Sequence, residues 1–338
     1  MTPSISNKTD PQLKSALKLV SRRRFLVASA LGGMGLVFPI LSNAVHAPAR
    51  YGVKIKHGAH SSGFHAPSES IELKVCTYNV MGPTPWSDAD RFRAISKELV
   101  RESPDLIGLQ EMHFGPARQA LPTSSDFSII EPGLNRIRNV DWPCTKNGLY
   151  AVSRFPVLGG GCFTFSQRGR EDRVISKGAM FTTIQLPNAT LRFWTCHLQC
   201  GGPEFDEHRS TAIKEIHAWS EEMQRKSPVD IEVFAGDFNI LPGTKNYERC
   251  SSLLGGNAVE LAKLSGHFHT DDGTANTLSA QNPPESPDHI FILNRKNGAL
   301  EVKVVNVSLV FTERLFQGGS LSDHFGLQAQ LRITSKSE

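Results

Sequence analysis

The chain has 338 residues, 39% hydrophobic and 21% charged, an ordinary globular balance with enough apolar matter for one large α/β domain or two small ones. Its formal charge of +4 is concentrated at the front: residues 1–47 carry Lys8, Lys14, Lys18, Arg22, Arg23 and Arg24 against Asp10, a balance of +5, so the remainder stands near −1. That excludes the general basic excess of a non-specific nucleic-acid binder, though not a local basic groove.

In chain order, Ser21-Arg22-Arg23-Arg24-Phe25-Leu26 is a twin-arginine pattern, followed by an apolar Gly/Ala-rich run from Phe25 to Leu41. Small residues at Val45-His46-Ala47 place a cleavage site after Ala47, with Ser42-Asn43-Ala44 as a second candidate. Residues 1–47 therefore read as an export signal; a retained anchor is the alternative, for which the run is short. Residues 48–70, rich in Ser, Gly, His and Pro, read as a flexible linker. The folded domain is expected over 71–335. The cysteines at 76, 144, 162, 196, 200 and 250 could form disulfides in an oxidising compartment, but their even count does not require it. Within one straight strand Cys196 and Cys200 would be too far apart to bridge, though not across a curled loop.

Alternating apolar residues predict a strand over Glu72–Tyr78. Helical spacing through Phe92, Ile95, Leu99 and Val100 predicts a helix over Asp88–Glu102. Strands follow at 105–110, 148–153, 180–186 and 191–197. A helix over Glu207–Lys226 carries Ile213, Ile216, Trp219 and Met223 on one side. Further strands are expected at 231–235, 289–293, 302–309 and 326–333. The order implies mixed α/β layers around two sheets in one domain.

Six of these strands abut polar groups that a core does not need: Asn79, Gln110-Glu111, His197, Asp237 with Asn239, Asp288-His289, and Asp323-His324. Singly, a strand-end Asp is an ordinary turn or cap residue and a lone His an ordinary solvated one. Together they supply hard oxygen donors (Glu111, Asp237, Asp323), neutral amides (Asn79, Asn239) and proton carriers (His197, His324). That mixture suits Mg²⁺ or Mn²⁺ better than zinc, and it matches what hydrolysis of a phosphate ester needs.

The ordered set TYNVMG, LIGLQEMH, NGLYAVSRFPV, WTCHLQ, FAGDFNILPGT, PDHIFI and LSDHFGL, spanning about 72–333, resembles the endonuclease/exonuclease/phosphatase family of metal-dependent phosphoesterases. The resemblance implies a four-layer α/β/β/α sandwich with two mixed, mainly antiparallel sheets and the site at one edge. It implies Glu111 as principal Mg²⁺ ligand, supported by Asn79 and Asp323. Asp237 would orient or deprotonate the attacking water, and Asn239 would hold a phosphate oxygen. His324 would act in proton transfer with Asp288 fixing its tautomer, and His197 would face the phosphate as a second histidine.

His197 in a T-x-H-L-Q setting, Ser176-Lys177-Gly178 and Arg209 are most similar to neutral sphingomyelinases. That implies a phospholipid substrate, contact with a membrane surface, and Lys177 and Arg209 as substrate-binding residues, with Asp172 a weaker candidate to couple to Lys177. Simple solvation is the competing account of Lys177. A nucleic-acid or inositol-phosphate substrate, and a non-catalytic binding module on the same scaffold, are the alternatives. No Trp-rich hairpin stands out as a membrane anchor. Phe163 and Phe165, after Gly159-Gly160-Gly161, fit a core better than a protruding loop, and Trp86 and Trp142 lie in Pro-containing loops.

Overall fold

The computed structural model describes residues 50–58, 69–82, 89–113, 115–122, 124–133, 147–167, 169, 176–264, 268–279, 282–296, 299–315 and 318–336. The export signal, Asp172, Trp86, Trp142 and Cys144 lie outside the described residues. All described residues fall in one compact unit.

The strands are β1 (Arg50–Lys56), β2 (Ser70–Asn79), β3 (Leu106–Gln110), β4 (Ser128–Pro132), β5 (Tyr150–Ser153), β6 (Val157–Thr164), β7 (Gly178–Gln185), β8 (Thr190–His197), β9 (Ile231–Asp237), β10 (Gly256–Asn257), β11 (Asp288–Asn294), β12 (Leu300–Val310) and β13 (Gly326–Ser335). The helices are α1 (Ala89–Glu102), α2 (Asp206–Lys226), α3 (Lys245–Leu254) and the single turn α4 (Ala258–Leu261). The strands form one hydrogen-bonded order, β10-β11-β9-β8-β7-β6-β1-β4-β5-β3-β2-β13-β12.

Two of the strand pairs are parallel, β2 with β3 and β8 with β9. Parallel neighbours need a crossover, and the two amphipathic helices supply it: α1 follows β2 and α2 follows β8. Each buries its apolar stripe on an outer sheet face. Phe92, Ile95 and Leu99 of α1 pack with Tyr78, Ile107 and Val152. Ile213, Ile216 and Trp219 of α2 pack with Phe181, Trp194 and Phe234. Val100, read as part of the α1 stripe, is instead 45% exposed. A third cluster lies between the two halves of the sheet, joining Leu73, Val75 and Leu106 to Met180, Phe193 and Val233.

Two expectations are corrected. The linker at 48–70 contains β1. The first residues of β1 pair with β6 (Gly52 opposite Gly161) and the last with β4 (Ile55 opposite Ile130), so two separate sheets become one curled sheet. Its alternating Tyr51, Val53 and Ile55 pack on the central cluster; three apolar residues in a polar, glycine-bearing stretch gave too short a signal. The Gly159–Gly161 run lies in strand β6. A Cβ on Gly161 would lie 3.1 Å from ring carbons of both Phe181 and Trp219, so glycine here admits close aromatic packing rather than a turn. Phe163 and Phe165 are core residues.

Candidate active site

The topology brings the chemistry to one edge. β2, β3, β8 and β9 end there, while β7, β11 and β13 begin there, because their antiparallel neighbours run the other way. In register, His197 lies opposite both Gly178 and Asp237, and Asp237 opposite Asp288. The facing strand ends come close through small contacts. The Gln110 side-chain amide donates to Thr195 Oγ1 and to Thr77 Oγ1, both at 3.0 Å, tying β3 to β8 and β2 beneath the site. A Cβ on Gly108 would lie 2.4 Å from Thr195 Oγ1, so this approach requires glycine.

Two carboxylate–histidine pairs result. Asp237 Oδ2 lies 3.3 Å from His197 Nε2 and accepts from Asn79 Nδ2 at 3.0 Å. Asp288 Oδ2 lies 2.7 Å from His324 Nδ1. Burial disfavours charge on both rings, but the outcomes differ. His197 is held well below the ordinary histidine value by burial, with nearby Lys177, His113 and His324 adding to it. For His324 the surrounding carboxylates, Asp288 foremost and then Asp323 and Asp237, outweigh burial and hold it well above that value. Burial thus favours the uncharged form of the first ring, and the carboxylates favour the protonated form of the second.

The acids are perturbed too. Glu111 is pushed up to about 7 by burial and then by Asp323, with Lys177 and Asn79 opposing. Asp237 is pushed up to about 6 by burial and then by Asp288. Glu111 and Asn239 have left-handed backbones, φ 63° and 50°. Asn tolerates that region; Glu rarely adopts it, and such strain clusters at working sites.

Of the expected residues, Asn79, Glu111, Lys177, His197, Asp237, Asn239, Asp288, Asp323 and His324 gather at this edge. Asn239 donates one side-chain proton to the Leu198 carbonyl at 3.1 Å, and Lys177 Nζ donates to the same oxygen at 2.9 Å. Arg209 is not brought there. It is buried in α2, with its guanidinium on the carbonyls of Gln199, Gly201 and Gly202 at 2.8–3.1 Å. It therefore shapes the loop after His197, and a substrate contact finds no support in its geometry. Cys196 and Cys200 are free thiols.

Arg91 was missed by sequence reasoning. From α1 it donates to the carbonyls of Val80, Met81 and Leu321 at 2.7–2.9 Å, joining the turn after Asn79 to the turn before His324. In sequence it is one more charged residue of an amphipathic helix, and no local signal marks it.

The donor set fits a hard divalent cation. Mutually repelling carboxylates, Glu111 with Asp323 and Asp237 with Asp288, are crowded into a poorly solvated cleft, which a cation would relieve. One oxygen or nitrogen each of Asp237, Asp288 and His324 lie within 4.8 Å of one another, close enough to share an ion.

This chain belongs to the Endonuclease/Exonuclease/phosphatase family, whose sequence profile matches residues 76–324. Among curated relatives it is similar to Sphingomyelinase C of Bacillus cereus, 22% identical over 299 residues, covering 77% of this chain and 89% of the relative. Among solved structures it resembles Sphingomyelinase C from Streptomyces griseocarneus, with a TM-score of 0.57 and 20% identity over 77% of this chain and 99% of the other. It also resembles D. rerio TDP2 complexed with a single-strand DNA product, with a TM-score of 0.59 and 20% identity over 77% and 98%. Among the described residues no helix is long and apolar enough to cross a membrane.

Proposed function

We propose that this protein is an exported, Mg²⁺-dependent phosphodiesterase acting on sphingomyelin or a related phospholipid. The observation that carries the chemistry is the pair of carboxylate–histidine contacts, Asp237 with His197 and Asp288 with His324, at one strand-end cleft. When bound by Glu111, Asp323 and the Asn79 side-chain oxygen, Mg²⁺ would supply positive charge to the phosphoryl oxygens. Mn²⁺ suits the same donors. Asp237 orients the attacking water and accepts its proton. As the water oxygen bonds to phosphorus, the opposite P–O bond breaks and His324 gives its proton to the departing oxygen. Asp288 is bonded to Nδ1 of that ring, which leaves Nε2 to carry the transferred proton. His197 and Asn239 face the phosphate.

The cluster of Asp237, Asp288 and His324 is assigned to proton handling rather than to the ion, since His324 Nδ1 and Asp288 are already hydrogen-bonded to each other. The sheet halves with their outer helices correspond, in this reading, to the family's α/β/β/α layers. The lipid substrate is supported by the Sphingomyelinase C relatives and by the near-neutral charge beyond residue 47. The TDP2 likeness favours a nucleic-acid end as the second reading.

A substrate panel with Mg²⁺ (sphingomyelin, other phospholipids, supercoiled DNA, RNA and inositol phosphates) tests the assignment. Release of phosphocholine from sphingomyelin, abolished by EDTA and restored by Mg²⁺, is expected. Plasmid nicking without lipid hydrolysis would transfer the assignment to the second reading. Export is tested by the N-terminus of the protein recovered outside the cytoplasm, expected at residue 48.

A further inference from the structure

We propose that Thr270 is a positioning residue for the Asp288–His324 pair, its hydroxyl fixing the plane of the carboxylate and its main chain fixing the turn that carries the imidazole. This rests on the proton-donor role given to His324 above.

Thr270 lies between α4 and β11, in a stretch with no recognisable motif, and is 0% exposed. Its Oγ1 donates to Asp288 Oδ2 at 2.6 Å, the same oxygen that receives His324 Nδ1 at 2.7 Å. Its carbonyl accepts from the backbone N–H of Phe325 at 2.7 Å. A few residues on, Asn276 Nδ2 donates to the Ser322 carbonyl at 2.8 Å. The 270–276 stretch thus grips both sides of His324 while touching its partner.

A carboxylate oxygen has two lone pairs. With Thr270 on one, the other points in a set direction. Asp288 Oδ1 meets no hydrogen-bond donor among the described residues, so Thr270 and His324 are the two donors that set the plane of this carboxylate. Without the hydroxyl the carboxylate can turn about its Cβ–Cγ bond and the imidazole follows. A misplacement of about 1 Å near reacting atoms costs about 100-fold in rate.

Thr270→Val removes the donor and keeps the shape; Thr270→Ala removes it with less crowding; Thr270→Ser keeps it. With Mg²⁺ and the substrate identified by the panel, Val and Ala are expected to lower kcat about 10- to 100-fold with KM nearly unchanged, and Ser to stay within about threefold of the parent. In metal-free protein, the low-field proton resonance that disappears in His324→Ala should shift or broaden in Val and Ala and persist in Ser. Parent-like kcat and an unmoved resonance in Val or Ala overturn the proposal, as does equal loss in Ser and Val, or a change confined to KM. If the parent hydrolyses none of the panel, the functional reading fails, and the resonance alone decides Thr270's role.

Discussion

Asp237 and Asp288 stand directly opposite each other at the ends of antiparallel β9 and β11, yet each contacts a different histidine, Asp237 with His197 at 3.3 Å and Asp288 with His324 at 2.7 Å. The ladder fixes the carboxylates as neighbours, while β8 and the turn before β13 deliver the rings from different directions. Burial pushes the first ring's pKa down, while the carboxylates push the second's up. Groups whose protonation is pushed apart in this way are suited to acid–base work.

Asp237→Asn and His324→Ala should each lower phosphodiester turnover by about 100- to 10,000-fold. The fold should persist, as read by circular dichroism and cooperative melting. Retention of more than about a tenth of the activity in either variant would remove that residue from the chemistry.

The acids predict how stability follows pH. Glu111 and Asp237 have folded pKa values raised to about 7 and about 6, from ordinary values of 4.5 and 3.8. A group raised on folding stabilises fully below its unfolded value and loses that contribution as pH rises through its folded value. The contribution of these two acids to metal-free stability should therefore be lost between about pH 4 and pH 7, and Mg²⁺ should raise the midpoint more at pH 8 than at pH 5. Calorimetric scans with EDTA or with Mg²⁺ check this, and Glu111→Gln should flatten both trends. A Glu111→Gln profile in EDTA that runs parallel to the parent's over this range contradicts the assignment.

Arg209→Lys should act through the loop after His197. An ammonium cannot bridge three carbonyls as the guanidinium fork does. Faster proteolytic nicking at 199–202 and a fall in kcat are expected. A rise in KM with an unaltered loop would restore the substrate-contact role.

Away from the site, Glu232 and Arg192 are both 0% exposed. Glu232 also accepts from Trp194 Nε1, Ser220 Oγ and Arg295. Glu232→Ala strands a buried guanidinium, and a loss of about 3–5 kcal/mol in denaturant unfolding is expected. A loss under 1 kcal/mol would mean that the interior relaxes around Arg192.

Much of the site was legible because strand-end chemistry is local: a β-run followed by Asp, Asn or His states both where a side chain is and that a core does not want it. The helices were legible for a related reason, since the stripe at Ile213, Ile216 and Trp219 repeats over several turns. What escaped depends on partners distant in sequence. Arg91 holds Leu321 from 230 residues away, and nothing near it encodes that. The resemblance puts Arg209 at the substrate, and its three carbonyl acceptors cannot be read from the sequence. The close aromatic packing at Gly161 is equally hidden, because the rings it admits, Phe181 and Trp219, come from other elements.

The placement of β1 has a consequence for handling the protein. Any truncation that begins the chain at Ile71, a natural choice if 48–70 is taken for a tether, would strip partners from two strands at once. β4 and β6 would each present unpaired amides and carbonyls along a fresh edge, the template on which strands of neighbouring molecules assemble. The first residues to be trimmed are the ones that keep this sheet from finding itself in solution.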